Sequence, residues 1–148
     1  MYKRILVAID GSHTSTLALE ESIKLAKELK AQLRILHIVE DIMPIGDTEF
    51  LNYAEIQEAV VRHGTIILQK AERAAKEAGV EAETRLVNPE TPGQRAADTI
   101  TQEADTWPAN LVVIGTHGRH GFDRLLMGSI AEGVARKISK PLLLIRGK

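Results

Sequence analysis

The chain contains no cysteine. That excludes structural disulfides, thiolate metal sites and a cysteine nucleophile, and it is consistent with a reducing compartment. Aromatic residues are scarce: two Phe, two Tyr and one Trp leave few rings on which bases could stack. Charge of neither sign dominates, because 19 Lys and Arg face 20 Asp and Glu for a formal net charge of −1. With the cations spread along the chain there is no broad basic face, and nucleic acid is not an expected partner. No apolar run approaches the length of a bilayer span, and Met1–Arg4 leads straight into a strand-like run without a signal-peptide core. A cytoplasmic protein without a membrane partner is therefore expected. Two phosphate motifs are also missing: neither G-x-x-x-x-G-K-[ST] nor G-x-G-x-x-G occurs, so neither a P-loop nor a dinucleotide fingerprint is present. His13, His37, His63 and His120 do not follow a metal-ligand spacing, and no protein-built metal site is expected.

What is present is enough for one α/β domain over residues 1–148, since 148 residues with 44% hydrophobic content can bury a core that needs no staple. Its organising stretch is Asn110–Ile130, NLVVIGTHGRHGFDRLLMGSI. The apolar run Leu111–Ile114 fits a buried strand and stops at Gly115. Gly118 follows, and Gly128-Ser129 then heads an amphipathic stretch. Glycines let the main chain turn sharply and approach a ligand, while a helix start presents N–H groups and a hydroxyl to an anion. Arg119, Arg124, His117 and His120 against the single acid Asp123 give the loop a positive local field. An ordinary strand-to-helix connection carrying glycine and a serine cap would produce part of this pattern, but not the charge.

The rest of the chain alternates strand and helix. Ile5–Ile9 is continuously apolar, as a strand covered on both faces must be, and ends in the turn residues Asp10-Gly11-Ser12. A helix over Thr14–Leu29 follows, with Leu19, Ile23, Ala26 and Leu29 on its apolar side. Gln32–Val39 is the second strand. Ile42–Phe50, with Pro44 and Gly46, reads as a long loop and candidate lid. Leu51–Ala78 is a long helix with Ile56, Val60, Ile67, Ala71 and Ala74 on one side and Gly79 as its stop. Glu81–Val87 alternates polar with apolar residues, as an edge strand does. Thr91-Pro92 is expected to start a helix through Ala96, Ala97, Ile100 and Ala104, which Trp107-Pro108 ends. After the glycine loop, Ile130, Val134 and Ile138 repeat every four residues, and Pro141–Ile145 is the fifth strand. Five strands with crossover-length connections make a doubly wound parallel sheet, in which ligands bind beyond the carboxyl ends of the strands. Periodicity alone does not give the strand order.

The runs ILVAIDGS at residues 5–12, LHIVE at 36–40, G-x2-G-x9-G-S at 115–129 and the closing PLLLIR together resemble the universal stress protein family, over the whole chain. The resemblance implies the strand order 3-2-1-4-5, and the complete glycine pattern implies the ATP-binding branch. Carried over by position, it puts Ala8, Ile9 and Asp10 beside the adenosine, Asp10 as a polar contact, and Ile38 in the adenine pocket. It puts Gly115, Thr116, His117, Gly118 and Arg119 beside the ribose and phosphates, and Gly128, Ser129 and Ile130 where main-chain N–H groups and a hydroxyl meet the phosphates. ATP is the implied ligand, with magnesium arriving on it. One departure from the family is visible: Thr106–Ala109 stands between Ala104-Asp105 and Asn110, an apparent insertion before the fourth strand.

Several of these residues have simpler readings. Asp10 can cap a turn through Gly11 and Ser12, Ser12 reads as a cap, and a lone loop histidine such as His117 is ordinarily a polar contact and not a base. Phe50 and Tyr53 read as burial against the sheet before they read as a lid. No nucleophile–base pair or acidic pair for phosphoryl transfer is recognisable, and no catalytic residue is assigned. The leading expectation is an ATP-binding stress-response module acting as a nucleotide-dependent switch or sensor. A slow ATPase or adenylate-transferring enzyme is the second reading, and a partner-binding protein with an empty crevice the third. The apolar strand Leu142–Ile145, at an edge in the implied order and unlike the opposite edge with Glu83 and Arg85, is expected to pair two copies into a homodimer.

Overall fold

The computed structural model describes residues 1–39, 53–89, 94–117 and 127–147. The described residues form five strands, β1 (Arg4–Ala8), β2 (Gln32–Ile38), β3 (Ala82–Val87), β4 (Leu111–Gly115) and β5 (Leu142–Ile145). Four helices accompany them: α1 (His13–Leu29), α2 (Tyr53–Glu77), α3 (Ala96–Thr106) and α4 (Ser129–Lys137). The strands run parallel in one sheet of order β3-β2-β1-β4-β5, as the resemblance implied. From the central β1 the chain winds outward through β2 to β3 and then returns to build β4 and β5 on the other side. The order therefore reverses at the β1/β4 boundary, where Val7 stands opposite Val113.

Two cores follow from the two-residue alternation of the strands. Ile5, Val7, Leu33, Ile35, Leu111 and Val113 meet Leu19, Ile23 and Ala26 of α1 and Leu68, Ala71 and Ala75 of α2 on one face. Leu6, Leu36, Val112 and Ile114 meet Ala97, Ile100 and Ala104 of α3 and Ala131 and Val134 of α4 on the other. Ile5, Leu6 and Val7 are wholly buried, which explains why β1 has no polar alternation. Each such side chain contributes about 1.5–3 kcal/mol. At the β3 edge Glu83, Thr84 and Arg85 are exposed, whereas all four residues of β5 are half-buried.

Some expectations shift. α3 begins at Ala96 with Arg95 at its N-cap, so Thr91-Pro92, outside the described residues, is not the cap and first turn. Burial of Ala97, Ile100 and Ala104, rather than a proline signal, decides where this helix packs. The stripe of α4 rests on Ala131 and Val134, while Ile130 is 41% exposed; the helix lies one residue round from the expected face. Leu29 and Ala74 are likewise exposed, and Gly64, Leu68, Ala71 and Ala75 form the buried side of α2. Tyr53 is exposed rather than buried against the sheet, while Phe50 and the Ile42–Phe50 segment lie outside the described residues. The extra residues before β4 make a compact turn, with the Ala109 N–H donating to the Ala104 carbonyl at 2.8 Å. They sit at the amino ends of the strands, away from the switch point.

Candidate functional site

At the carboxyl end of β1 the chain leaves the sheet by a tight turn. The Ile9 N–H still donates to the Leu36 carbonyl at 2.9 Å, but the Asp10 N–H donates to Ser15 Oγ at 3.2 Å and Asp10 Oδ1 accepts from the Ser12 N–H at 2.9 Å. Gly11 follows with φ at 84°, in the left-handed region that favours glycine. Ser12 caps α1, its side chain accepting the Ser15 N–H at 3.2 Å. The turn-capping role considered for Asp10 is thus present, and Ser12 is a cap.

Alternation places Ala8 and Ile38 on the face shared with α3 and α4, and Ile38 stands opposite Val87. All three are only half-buried, so they form a short apolar strip at the carboxyl ends of β1, β2 and β3. Ile9 points to the opposite face and is buried. Val87 extends the strip beyond the residues chosen from sequence; its place beside Ile38 depends on register, which the sequence pattern does not give.

At the end of β4, Gly115 leaves space for α1: a Cβ there would lie 2.7 Å from Thr14 Cγ2. Its glycine therefore serves helix packing in this structure, a role the ligand-approach reading overlooked. Thr116 is buried and ties three parts together. Its N–H donates to the Ile145 carbonyl at 2.9 Å, its carbonyl accepts the Gly128 N–H at 2.7 Å, and its Oγ1 lies 3.0 Å from His117 Nδ1. The Gly128 bond brings the two ends of the glycine loop together. Gly118 and Arg119, with His120, Asp123 and Arg124, lie outside the described residues.

Gly128 is the N-cap of α4 and, as a glycine, supplies no side-chain cap to that helix start. Its N–H is occupied by Thr116, so the donors an anion can use are those of the first turn, Ser129–Ala131, which lack an i−4 carbonyl within the helix. Ser129 is exposed at this position, as is Ile130. Gly128 has φ −64° and ψ 157°, angles open to any residue, so its backbone does not require glycine.

The elements bring Ala8, Asp10, Ile38, Gly115, Thr116, His117, Gly128, Ser129 and Ile130 to the carboxyl ends around the switch point, with the Ile9 side chain on the opposite face of the sheet. Sequence reasoning missed Thr14, the Thr116 clasp and His37, whose Nδ1 donates to the Ile9 carbonyl at 2.9 Å. Among the described residues no group of three His, Asp or Glu is arranged to hold a metal ion, and no helix is long and apolar enough to cross a membrane. A broad cavity of about 680 Å³ lies at the opposite end of the sheet, lined in part by Lys3, Arg4, Lys30 and Asn110. Size alone does not make it the better site, because it has neither a switch point nor a helix start.

Fold and crevice define a doubly wound α/β protein whose candidate ligand site sits where the strand order reverses. The chain belongs to the universal stress protein family, whose model matches residues 1–146. It is 34% identical over 153 residues to universal stress protein YxiE of Bacillus subtilis, covering 99% of this chain and 100% of that one. A crystal structure of a universal stress protein family member from Burkholderia pseudomallei is 28% identical, with a TM-score of 0.78 over 97% of this chain and 96% of that one. A universal stress protein solved in complex with cAMP is 25% identical, with a TM-score of 0.68 over 99% and 98% of the two chains.

Proposed function

We propose that this protein binds an adenine nucleotide, ATP foremost, at the carboxyl ends of β1 and β4 and acts in the cytoplasm as a nucleotide-dependent switch or sensor in the stress response. The observation that carries the reading is the pairing of a half-buried apolar strip, Ala8 and Ile38, with the start of α4 at its glycine N-cap, whose first-turn N–H groups lack an i−4 carbonyl within the helix. A flat apolar base fits the strip, and phosphates fit first-turn N–H groups and the Ser129 hydroxyl. Asp10 contributes a polar contact to the adenosine, and Gly115 to Arg119 border the ribose and phosphates. The cAMP complex of the related protein supports the adenine class. Magnesium arrives as the counterion of ATP, held through the phosphates.

A slow ATPase is the second reading, because Thr116 Oγ1 at 3.0 Å from His117 Nδ1 orients a titratable ring at the mouth of the loop. A single loop histidine is a weak base for water, and the sequence carries no recognisable nucleophile–base pair, so turnover falls below the ordinary enzyme range of about 1–1000 per second. The copies pair through β5 into a homodimer. Leu143 and Ile145 pack on one core and Leu142 and Leu144 on the other, so what the edge leaves open is its backbone. Mass spectrometry of ligand released from freshly purified, denatured protein, followed by calorimetry with ATP and cAMP, tests the reading. An adenine nucleotide bound one per chain supports it; no binding of either sinks it.

A further inference from the structure

The turn carrying Asp10 is gripped by a helix that contributes nothing to the strip or the phosphate loop. His37, on β2, is buried at 7% exposure and faces α2. Its Nδ1 lies 2.9 Å from the Ile9 carbonyl. A carbonyl only accepts, so Nδ1 carries the hydrogen and the imidazole holds the peptide immediately before Asp10. The ring can take that place because α2 has glycine where it passes: a Cβ on Gly64 would stand 2.7 Å from His37 Cδ2 and 2.9 Å from Leu86 Cδ1. One helical turn on, α2 reaches the turn itself. A Cβ on Gly11 would lie 3.1 Å from Ile67 Cδ1, so the Ile67 side chain rests against the backbone of Gly11. Gly64 and Ile67 are three residues apart and share a helix face.

We infer that α2 clamps the Ile9–Ser12 turn, through His37 on the Ile9 carbonyl and Ile67 on Gly11, so that His37 is a positioning residue for the nucleotide site and movement of α2 is a means of regulating it. The inference rests on the proposed nucleotide reading for its consequence, but not for its geometry. Both contacts lie on the α1/α2 face, whereas Ala8 and Ile38 lie on the other. A shift of α2 therefore moves the Asp10 turn without disturbing the apolar strip. The bond and the packing contact are chemically independent, which allows each to be removed alone.

Four variants of the full chain separate these contributions: His37→Leu removes the donor, His37→Asn returns an N–H near the Nδ1 position, Gly64→Ala displaces the ring, and Ile67→Ala removes the packing. Two quantities are measured, the hydrogen exchange of the Asp10 and Ser12 amides and the affinity for ATP and cAMP by calorimetry. Faster exchange at these two amides is expected in His37→Leu, Gly64→Ala and Ile67→Ala, with recovery in His37→Asn. Affinity in the first three should fall about tenfold, the worth of one hydrogen bond or a comparable loss of order. If His37→Leu does not fold, Ile67→Ala and Gly64→Ala still decide. Unchanged exchange at Asp10 and Ser12 in the folded variants overturns the clamp. If the parent protein binds neither ATP nor cAMP, the nucleotide reading fails while the exchange still tests the clamp, and normal nucleotide affinity with altered exchange overturns the regulatory consequence.

Discussion

The two ends of the sheet are built from the same five strands and are finished in opposite ways. At the amino ends, side chains close the backbone: Asn110 Oδ1 accepts the N–H groups of Lys3 at 3.0 Å and Arg4 at 2.9 Å, and the Asn110 N–H donates to the Arg4 carbonyl at 2.8 Å. Nearby, Arg34 lies 4.7 Å from the Trp107 ring centroid, and Arg34 and Arg85 hold Glu103, with Arg85 Nε at 2.7 Å. At the carboxyl ends the chain turns on the left-handed Gly11, leaves Ala8 and Ile38 half-buried and begins α4 at a glycine N-cap. A cavity of about 680 Å³ lies at the closed end, yet the features that suit a nucleotide are at the open one. Chemistry and topology, more than volume, distinguish the two.

The strongest way to break this comparison is to place a charge on the strip. Ile38→Glu should reduce adenine-nucleotide affinity by at least about 100-fold, since a carboxylate against a base in a half-dry pocket costs about 2–4 kcal/mol. Because Ile38 is only half-buried, the fold should survive; calorimetry with a melting curve checks both. At the other end, Asn110→Ala removes the acceptor of two main-chain donors and should lower stability by about 1–3 kcal/mol in chemical denaturation. The same variant should leave nucleotide affinity within about twofold, so a large loss of binding would blur the division between the ends.

Gly128→Val comes next. Its backbone angles admit valine, so the protein should fold normally, and the added bulk at the start of α4 should weaken ATP binding about tenfold by calorimetry. Unchanged affinity would remove the helix start from the phosphate site. His117→Ala should have the smallest effect, a loss of about threefold in ATP affinity with no measurable fall in a turnover that is already slow. A turnover that collapses by 100-fold in this variant would favour the enzyme reading.

Particular residues show which parts of this architecture were legible in the sequence. β1 and β4 were legible because both of their faces are buried, which forces continuous apolar runs. β3 was legible for the opposite reason, since Glu83 and Arg85 stand at an edge. The strand order came from the family resemblance, as no local pattern encodes which strands are neighbours. The start of α3 was misplaced because Thr91-Pro92 carries a good capping signal that the packing of Ala97 and Ile100 does not use. The His37–Ile9 bond and the Thr14 contact with Gly115 were missed because both join segments distant in sequence. Gly64 did carry a local signal: a glycine inside a helical pattern costs about 1 kcal/mol and usually marks a close approach. Gly115 was read as a ligand-approach glycine, and the structure adds a packing reason, the close pass of Thr14.

The most direct test of the central claim is a two-dimensional amide spectrum of the labelled protein titrated with ATP and magnesium. The account predicts shifts concentrated at Ala8–Ser12, Ile38, Thr116–His117 and Gly128–Ala131, with the amides of Lys3, Lys30 and Asn110 unmoved. Shifts confined to Lys3, Arg4, Lys30 and Asn110, or none at saturating ATP, would contradict it.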